Sequence, residues 1–256
     1  MFRPRSILVL ILLLATGIIT LLEAQLGFMN RQPFAFMDLE NEPSVTEFVF
    51  ARLRFSTLAG SWQDMSGWEH DYPQAEQHIN MLIQETTEID VDRMSYRIVD
   101  MDDPDLFNYP FAYISEPGTM QMTEPELNNF REYLDRGGFV MVDDILNGLV
   151  DMSTWEWNLG RIYPDREMIP LTSAHPIFNT FYEITDLGLT AYAGLPDSPV
   201  FYGYPAANGT DLSMIICFNN DIGDYWEWLD QPRYPLAPSS AGVRLGINFF
   251  VYALTH

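Results

Sequence analysis

The sequence contains no lysine, and all 13 of its basic residues are arginine. Schiff-base enzymes, pyridoxal-phosphate enzymes and P-loop NTPases each need a lysine, so these three classes are excluded. The basic residues are also outnumbered by 36 acidic ones, which gives a formal net charge of −23. Because phosphate backbones are bound by clustered basic residues, we expect no nucleic-acid partner.

Cysteine is scarce too, and the single one, Cys217, excludes a disulfide within the chain and a cysteine-rich metal site. It follows the apolar run 214–216, where a free cysteine usually packs as a small hydrophobe and is not an activated nucleophile. The four histidines form no HExxH motif, which excludes a zinc hydrolase of that type. What remains is an acidic chain, 47 % apolar, with ample material for a buried core.

The N-terminus has the pattern of an export signal. Arg3 and Arg5 precede an uncharged run, 7–22, which is shorter than the roughly 18–20 residues of a membrane-spanning helix. We interpret residues 1–24 as a signal peptide, with an uncleaved membrane anchor at 7–22 as the alternative. Both predict an exported protein, periplasmic or extracellular, with no other membrane contact. Residues 25–46 lack a sustained period and predict a linker to a single domain, 47–256.

Strand and helix patterns alternate in the first half of this domain. Apolar runs predict strands at 48–55, 96–99, 111–115 and 139–142. Helical spacing predicts helices near 75–83 and 127–134, the second opened by a Thr123/Glu126 capping box and ended by Gly137-Gly138. This order is typical of an α/β fold: three layers with a doubly wound, mostly parallel, flavodoxin-like sheet.

The second half is less regular. We expect a helix at 155–163 capped by Thr154, a hairpin of strands 200–204 and 212–218 around Asn208-Gly209, and a terminal helix that begins at Ser239.

Carboxylates follow two of the predicted parallel strands, at the edge where ligands bind in such sheets. Glu116 comes after 111–115, and Asp143 and Asp144 come directly after 139–142. Adjacent, partly desolvated aspartates repel each other unless a donor or a divalent cation compensates them. The three residues are therefore candidate ligand-binding residues, and the aspartates are a candidate metal site. The alternative for Asp144 is a cap of the next helix.

Among the histidines, His175 in the segment 173–178 is the best candidate for a functional role, although a lone histidine is more often structural. His70 lies in a polar loop, His78 is expected on the solvent side of its helix, and His256 is the last residue. These three are weaker candidates.

The segment 219–228 combines carboxylates, amides and aromatic rings. Its candidate residues are Asp221, Asp224, Trp226 and Trp228. Oxygen ligands suit a hard cation and flat aromatic rings suit sugars, although the spacing is not that of an EF-hand. The alternative is a loop whose tryptophans anchor it to the core.

From about residue 47 to residue 256 the chain resembles the bacterial domain-of-unknown-function family 4159. The segments that carry this resemblance are 48–54, 71–73, 106–110, 136–144, 175–178, 219–228, 246–248 and 253–256. Relatives that occur beside von Willebrand type A and ATPase modules imply a role in a cell-envelope assembly.

The pattern is also distantly similar to class I glutamine-amidotransferase-like domains, including the trehalose-utilisation group. The likeness lies in Glu116-Pro117-Gly118, in the Gly-Gly turn before 139–142, and in a later His-Pro-Ile at His175. The resemblance implies a shared fold and places His175 near the cleft. In amidotransferases the strand similar to 139–142 delivers a nucleophilic cysteine, but Asp143 follows it here, so amidotransferase activity is not expected.

Three hypotheses follow. In the first, a non-catalytic, exported domain binds a small molecule or a protein partner of the cell envelope between Glu116, Asp143, Asp144 and His175, under a loop containing 221–228. The second is a carboxylate- or metal-dependent hydrolase, in which Asp143 and Asp144 hold a divalent cation or act as acid and base and His175 moves protons. The third is a structural envelope module with an acidic docking surface.

Overall fold

The computed structural model describes residues 48–57, 67–147, 152–191 and 198–256. The predicted signal peptide, 1–24, and the linker, 25–46, lie outside the described residues. Within these four ranges no helix has both the length and the apolar character needed to cross a bilayer.

One sheet of seven strands organises the described part of the chain. The strands are β1 Phe50–Arg54, β2 Tyr96–Asp100, β3 Phe111–Ser115, β4 Phe139–Ile145, β5 Ile169–Pro170, β6 Val200–Pro205 and β7 Leu212–Phe218. Their order is β2-β1-β3-β4-β7-β6-β5. The first five in this order are parallel, and β6 is antiparallel to both of its neighbours. The mostly parallel α/β sheet and the C-terminal hairpin are therefore confirmed.

Helices cover both faces of this sheet. They are α1 Gln74–Thr86, α2 Glu124–Asp135, α3 Met152–Ile162, α4 Ile222–Glu227 and α5 Leu236–Thr255. On one face, Phe250 of α5 packs edge-on against Phe111 with ring centroids 4.4 Å apart, in a core shared with Ile79 of α1. Residues that alternate with these along the strands, such as Ala112 and Val140, are also fully buried. They face the layer that contains α2 and α3.

Several boundaries differ from those expected. β4 continues through Asp143 and Asp144, because Ile145 resumes the pairing with β7 after a register shift. Thr154 lies inside α3 and does not cap it. α5 begins at Leu236, one turn before Ser239, because a proline in the first turn of a helix loses no intrahelical hydrogen bond and Pro238 is therefore tolerated there.

The predicted start and end of α2 are confirmed. The Thr123 hydroxyl accepts from the Glu126 N–H, and the Glu126 carboxylate accepts from the Thr123 N–H at 2.6 Å. Gly137, with φ of 96°, ends the helix in a conformation that favours glycine. This cap and this turn fix where β4 starts, and hence where its far end delivers Asp143 and Asp144.

Candidate metal centre

The carboxyl ends of β1, β3, β4 and β7, or the loops that follow them, bring eight ionisable side chains to one edge of the sheet. We call this set the acidic cluster: His70, Asp71, Glu116, Asp143, Asp144, Asp221, Asp224 and Glu227. It lies beside β1 and β3, between which the order of the parallel strands reverses. Ligands bind at such switch points in open α/β sheets.

The two aspartates of β4 have different partners. Oδ2 of Asp143 accepts hydrogen bonds from the Tyr113 hydroxyl at 3.1 Å and from the Gly223 N–H at 2.8 Å. Its Oδ1 is buried and has no hydrogen-bond partner in the described structure. Burial raises the pKa of Asp143 to about 6. Asp144 adopts a φ of 56°, and its Oδ2 lies 3.3 Å from His70 Nδ1.

Asp144 is not the cap of the next helix, because it lies in β4, well before Met152 where α3 begins. Burial raises the pKa of Asp144 well above its usual range, and the neighbouring Glu116 carboxylate adds to this effect.

Arg52 of β1 holds the segment that carries His70 and Asp71. Its fully buried guanidinium forms an ion pair with Glu76 of α1. It also donates to the carbonyl oxygens of Trp68 at 2.8 Å and His70 at 2.7 Å. These contacts tie the segment between β1 and α1 to the end of the sheet.

Asp71 is the most enclosed carboxylate of this segment, with a fully buried side chain and a φ of 66°. Oδ1 faces His70 Nδ1 at 3.2 Å. No described group donates a hydrogen bond to Oδ2. A Cβ on Gly223 would lie 2.3 Å from that oxygen, so the close approach of Asp71 to α4 requires glycine at position 223.

Glu116 follows β3 in a left-handed conformation, with φ of 43°. Burial raises its pKa, while the His70 side chain opposes this shift. Burial alone would lower the pKa of His70, but the carboxylates of Asp71, Asp144 and Glu116 outweigh it and raise the value to about 10. The surrounding carboxylates therefore favour the protonated form of His70.

The helix α4 supplies the remaining acids. Asp221 caps it by accepting from the Asp224 N–H at 3.0 Å. The Asp224 carboxylate accepts from Trp228 Nε1 at 3.1 Å and from the Tyr234 hydroxyl. Ligating carboxylates in metal sites are commonly oriented by such hydrogen bonds.

Two groups in the cluster have the spacing of metal ligands. One is His70, Glu116 and Asp144, and the other is Asp71, Asp224 and Glu227. In each group the potential ligand atoms lie within 4.8 Å of one another. Carboxylate oxygens suit Mg²⁺, Ca²⁺ and Mn²⁺, and an imidazole adds affinity for Zn²⁺ and Fe²⁺. The chemistry of both groups fits a divalent cation.

Comparison with known families gives a match that spans nearly the whole of the described α/β domain. A family model described as a domain of unknown function, DUF4159, matches residues 49–254. The chain belongs to the DUF4159 family. No curated protein matches it. The acidic cluster lies entirely within the matched part of this DUF4159 domain.

Glu116, Asp143, Asp144, Asp221 and Asp224 are thus brought together in the DUF4159 domain. Trp228 is half-buried next to them, through its hydrogen bond to Asp224.

Trp226, by contrast, lies in the core and does not face the cluster. It is fully buried, packs edge-on against Phe50 with ring centroids 6.5 Å apart, and donates from Nε1 to the Gly242 carbonyl at 3.1 Å. The alternative interpretation, in which a tryptophan anchors this segment to the core, is correct for Trp226. The expectation of a sugar-stacking loop does not hold for it.

His175 lies at the other end of the sheet. Its ring contacts that of Tyr252, whose ring packs 5.5 Å from that of Phe139, the first residue of β4. Residues 139 to 143 span about 13 Å at roughly 3.3 Å per residue. His175 Nδ1 accepts from the Ile177 N–H at 3.3 Å, as the cap of a short 3₁₀ turn. The structure therefore does not bring His175 together with Asp143 and Asp144.

Sequence reasoning missed His70, Asp71 and Glu227. The rule that selected Glu116 and Asp143, that ligands bind after parallel strands, also applies to the loop after β1. His78 is not on the solvent side of α1 but is buried, with Nδ1 2.8 Å from the Trp226 carbonyl oxygen. Cys217 is buried as expected, and burial raises the pKa of its thiol well above the usual value.

The DUF4159 domain also has a cavity of about 510 Å³ outside this cluster. It lies between α3 and the hairpin, where Arg166, Tyr202 and Tyr204 contribute to its wall. None of the residues of the acidic cluster lines it.

Proposed function

We propose that this DUF4159 domain binds a divalent cation in the acidic cluster, and that the cation is needed for binding its small-molecule or protein ligand at this edge of the sheet. The observation that carries the proposal is the Asp71 carboxylate. It is fully buried, no described donor reaches its Oδ2, and Asp224 and Glu227 offer oxygens within 4.8 Å of it.

Charge balance supports the same conclusion. Seven carboxyl groups of the cluster face one imidazole, because the nearby guanidinium of Arg52 is already paired with Glu76. Burying a carboxylate without a partner costs several kcal/mol. A divalent cation removes this cost and supplies the missing partner for Asp71.

We place this binding domain outside the cytoplasm, on the strength of the predicted N-terminal signal, with its partner in the cell envelope. The strand order β2-β1-β3-β4 and the placement of Asp143 on β4 support an amidotransferase-like fold that lacks the nucleophilic cysteine. The hydrolase alternative has less support, because the proton shuttle expected at His175 lies at the far end of β4.

Thermal unfolding of the full chain with Mn²⁺, Mg²⁺, Ca²⁺ or Zn²⁺ tests the proposal, beside an Asp71→Asn variant. A cation at about 100 times its Kd adds about 2.7 kcal/mol of stability. For a chain of this size we expect Tm to rise by about 5–10 °C. In Asp71→Asn the rise should fall to less than a third.

Glu88→Gln is the matched control, since Glu88 is exposed and lies outside the cluster. It removes the same charge from the chain and should keep the full rise in Tm. If no cation raises the Tm of the parent, or if Asp71→Asn responds as the parent does, the proposed function is wrong.

A further inference from the structure

The two ligand groups of the acidic cluster differ in their exposure to solvent. Asp71, Asp224 and Glu227, which we call the inner group, are all buried. In the outer group, Asp144 is buried, whereas Glu116 is half-buried and the His70 side chain is 23 % exposed. The inner group is enclosed by protein, and the outer group faces the surface.

We propose that the cluster holds two divalent cations, an inner one enclosed by protein and an outer one that binds an oxyanion at an open coordination position. This inference rests on the proposed function and names the chemical class of the ligand, a phosphate or carboxylate group.

The inner group has the features of a closed site. Its potential ligands are all carboxylate oxygens, which suit Mg²⁺, Ca²⁺ or Mn²⁺. Asp224 is oriented by Trp228 and Tyr234, and Asp71 is packed against Gly223. Both carboxylates are thereby positioned before a cation arrives, which lowers the entropic cost of binding.

The outer group has the features of an open site. Its potential ligands come from three side chains, and catalytic zinc sites, which bind an exogenous ligand, likewise combine three protein ligands with one open coordination position. His70 Nδ1 lies 3.2 Å from Asp71 Oδ1 and 3.3 Å from Asp144 Oδ2, so the outer group adjoins the inner one.

The negative charge of the carboxylates makes oxyanion binding depend on a bound cation. An anion is repelled by the carboxylates of the metal-free cluster, and a cation with an open position attracts it. Binding of an oxyanion should therefore depend on the outer cation. The exposed side of His70 and Glu116 is the path by which such a group reaches it.

Mn²⁺ suits both groups and is the probe. The full chain should bind two Mn²⁺ per chain by calorimetry and by metal analysis after gel filtration. Glu116→Gln and, independently, His70→Asn should bind one. Inorganic phosphate should bind the Mn²⁺-loaded parent, and both outer-group variants should bind it at least tenfold more weakly. Glu88→Gln should match the parent in both measurements.

The outcomes separate the two proposals. No bound Mn²⁺ in the parent overturns the proposed function itself. One Mn²⁺ in the parent, unchanged in Glu116→Gln, overturns the second cation and leaves the proposed function standing. Two Mn²⁺ without phosphate binding overturns the oxyanion ligand. If both variants fail to fold, the electron paramagnetic resonance spectrum of the Mn²⁺-loaded parent distinguishes one bound ion from two. Two adjacent Mn²⁺ ions are magnetically coupled, and a spectrum without this coupling overturns the second cation.

Discussion

Gly223 lies at a point where α4 packs directly against Asp71 and against Tyr113 of β3. Its N–H donates to Asp143, and the space where a side chain would begin is taken by Asp71 Oδ2 and the Tyr113 hydroxyl. A methyl group there would lie 2.3 Å and 2.7 Å from these two oxygens. The absence of a side chain at Gly223 is what allows the Asp71 carboxylate and the Tyr113 hydroxyl to lie this close to α4.

Gly223→Ala should therefore displace Asp71 and weaken cation binding. We expect a loss of about 1–3 kcal/mol of stability from overpacking, and Mn²⁺ affinity at least tenfold lower. Urea unfolding and calorimetric titration of the folded variant measure the two effects.

The matched control is Gly160→Ala in α3, where a Cβ would meet no described atom within 4 Å. This change should leave Mn²⁺ affinity unaltered and raise stability by up to about 1 kcal/mol, because alanine favours a helix. Equal Mn²⁺ affinities for the two alanine variants would contradict the role given to Gly223.

At the scale of elements, the ion pair of Arg52 and Glu76 joins β1 to α1 and secures the segment between them. Both side chains are fully buried. Such a pair contributes little net stability when intact, but removal of one partner leaves a buried charge and is costly. In this domain the main effect of the ion pair is to fix the positions of His70 and Asp71.

Glu76→Gln should lower the free energy of unfolding by about 3 kcal/mol. The unpaired guanidinium of Arg52 is then drawn toward Asp71, which already interacts with it electrostatically. Mn²⁺ affinity should fall with stability. Glu85→Gln, an exposed change in the same helix, should alter neither quantity. A destabilised Glu76→Gln with parental Mn²⁺ affinity would show that Arg52 does not position the site.

The elements themselves could be predicted where local signals are strong. The apolar run 111–115 coincides with β3, and the Thr123/Glu126 capping box starts α2 as expected. The extension of β4 through Asp143 and Asp144 was not predicted, because it depends on pairing with β7. Similarly, the early start of α5 depends on which prolines its first turn tolerates.

At the scale of the molecule, the cluster makes stability depend on pH. When a chelator removes divalent cations, the pKa of Asp143 in the folded state is about 6, above the usual value of about 3.9 in an unfolded chain. At this group the folded state thus binds more protons than the unfolded state, so the contribution of Asp143 to stability is fully present below about pH 4 and is lost as pH rises through about 6. Burial also raises the pKa values of Asp144 and Asp221, so these two groups add to the decline in stability as pH rises.

Thermal unfolding in a chelator should therefore give a lower Tm at pH 7 than at pH 5, and saturating Mn²⁺ should reverse the order. Asp143→Asn should show a weaker decline, because it lacks one of the titrating carboxyl groups. A Tm that rises between pH 5 and pH 7 in a chelator would contradict this prediction.

The candidate site could be predicted only in part, for a reason that belongs to the whole molecule. Glu116, Asp143 and Asp144 were found because they end or follow apolar strands, which leave a local signal. His70 and Asp71 lie in a segment without periodicity, and Arg52 and Gly223 bring them to the edge by tertiary contacts. Trp226 was misplaced because the composition of its segment does not show that this side chain is buried in the core. His175 was misplaced because its expected position near the cleft followed from the distant resemblance and not from a local signal.

The sheet ends at β5, which has two exposed residues, the second of them Pro170. An edge strand recruits a strand of another molecule through a row of free N–H and C=O groups, and proline has no N–H to offer. A strand this short and interrupted provides almost no template for pairing. The hairpin side of the domain is thereby protected against edge-to-edge aggregation, even when bound cations reduce the repulsion that the charge of −23 supplies.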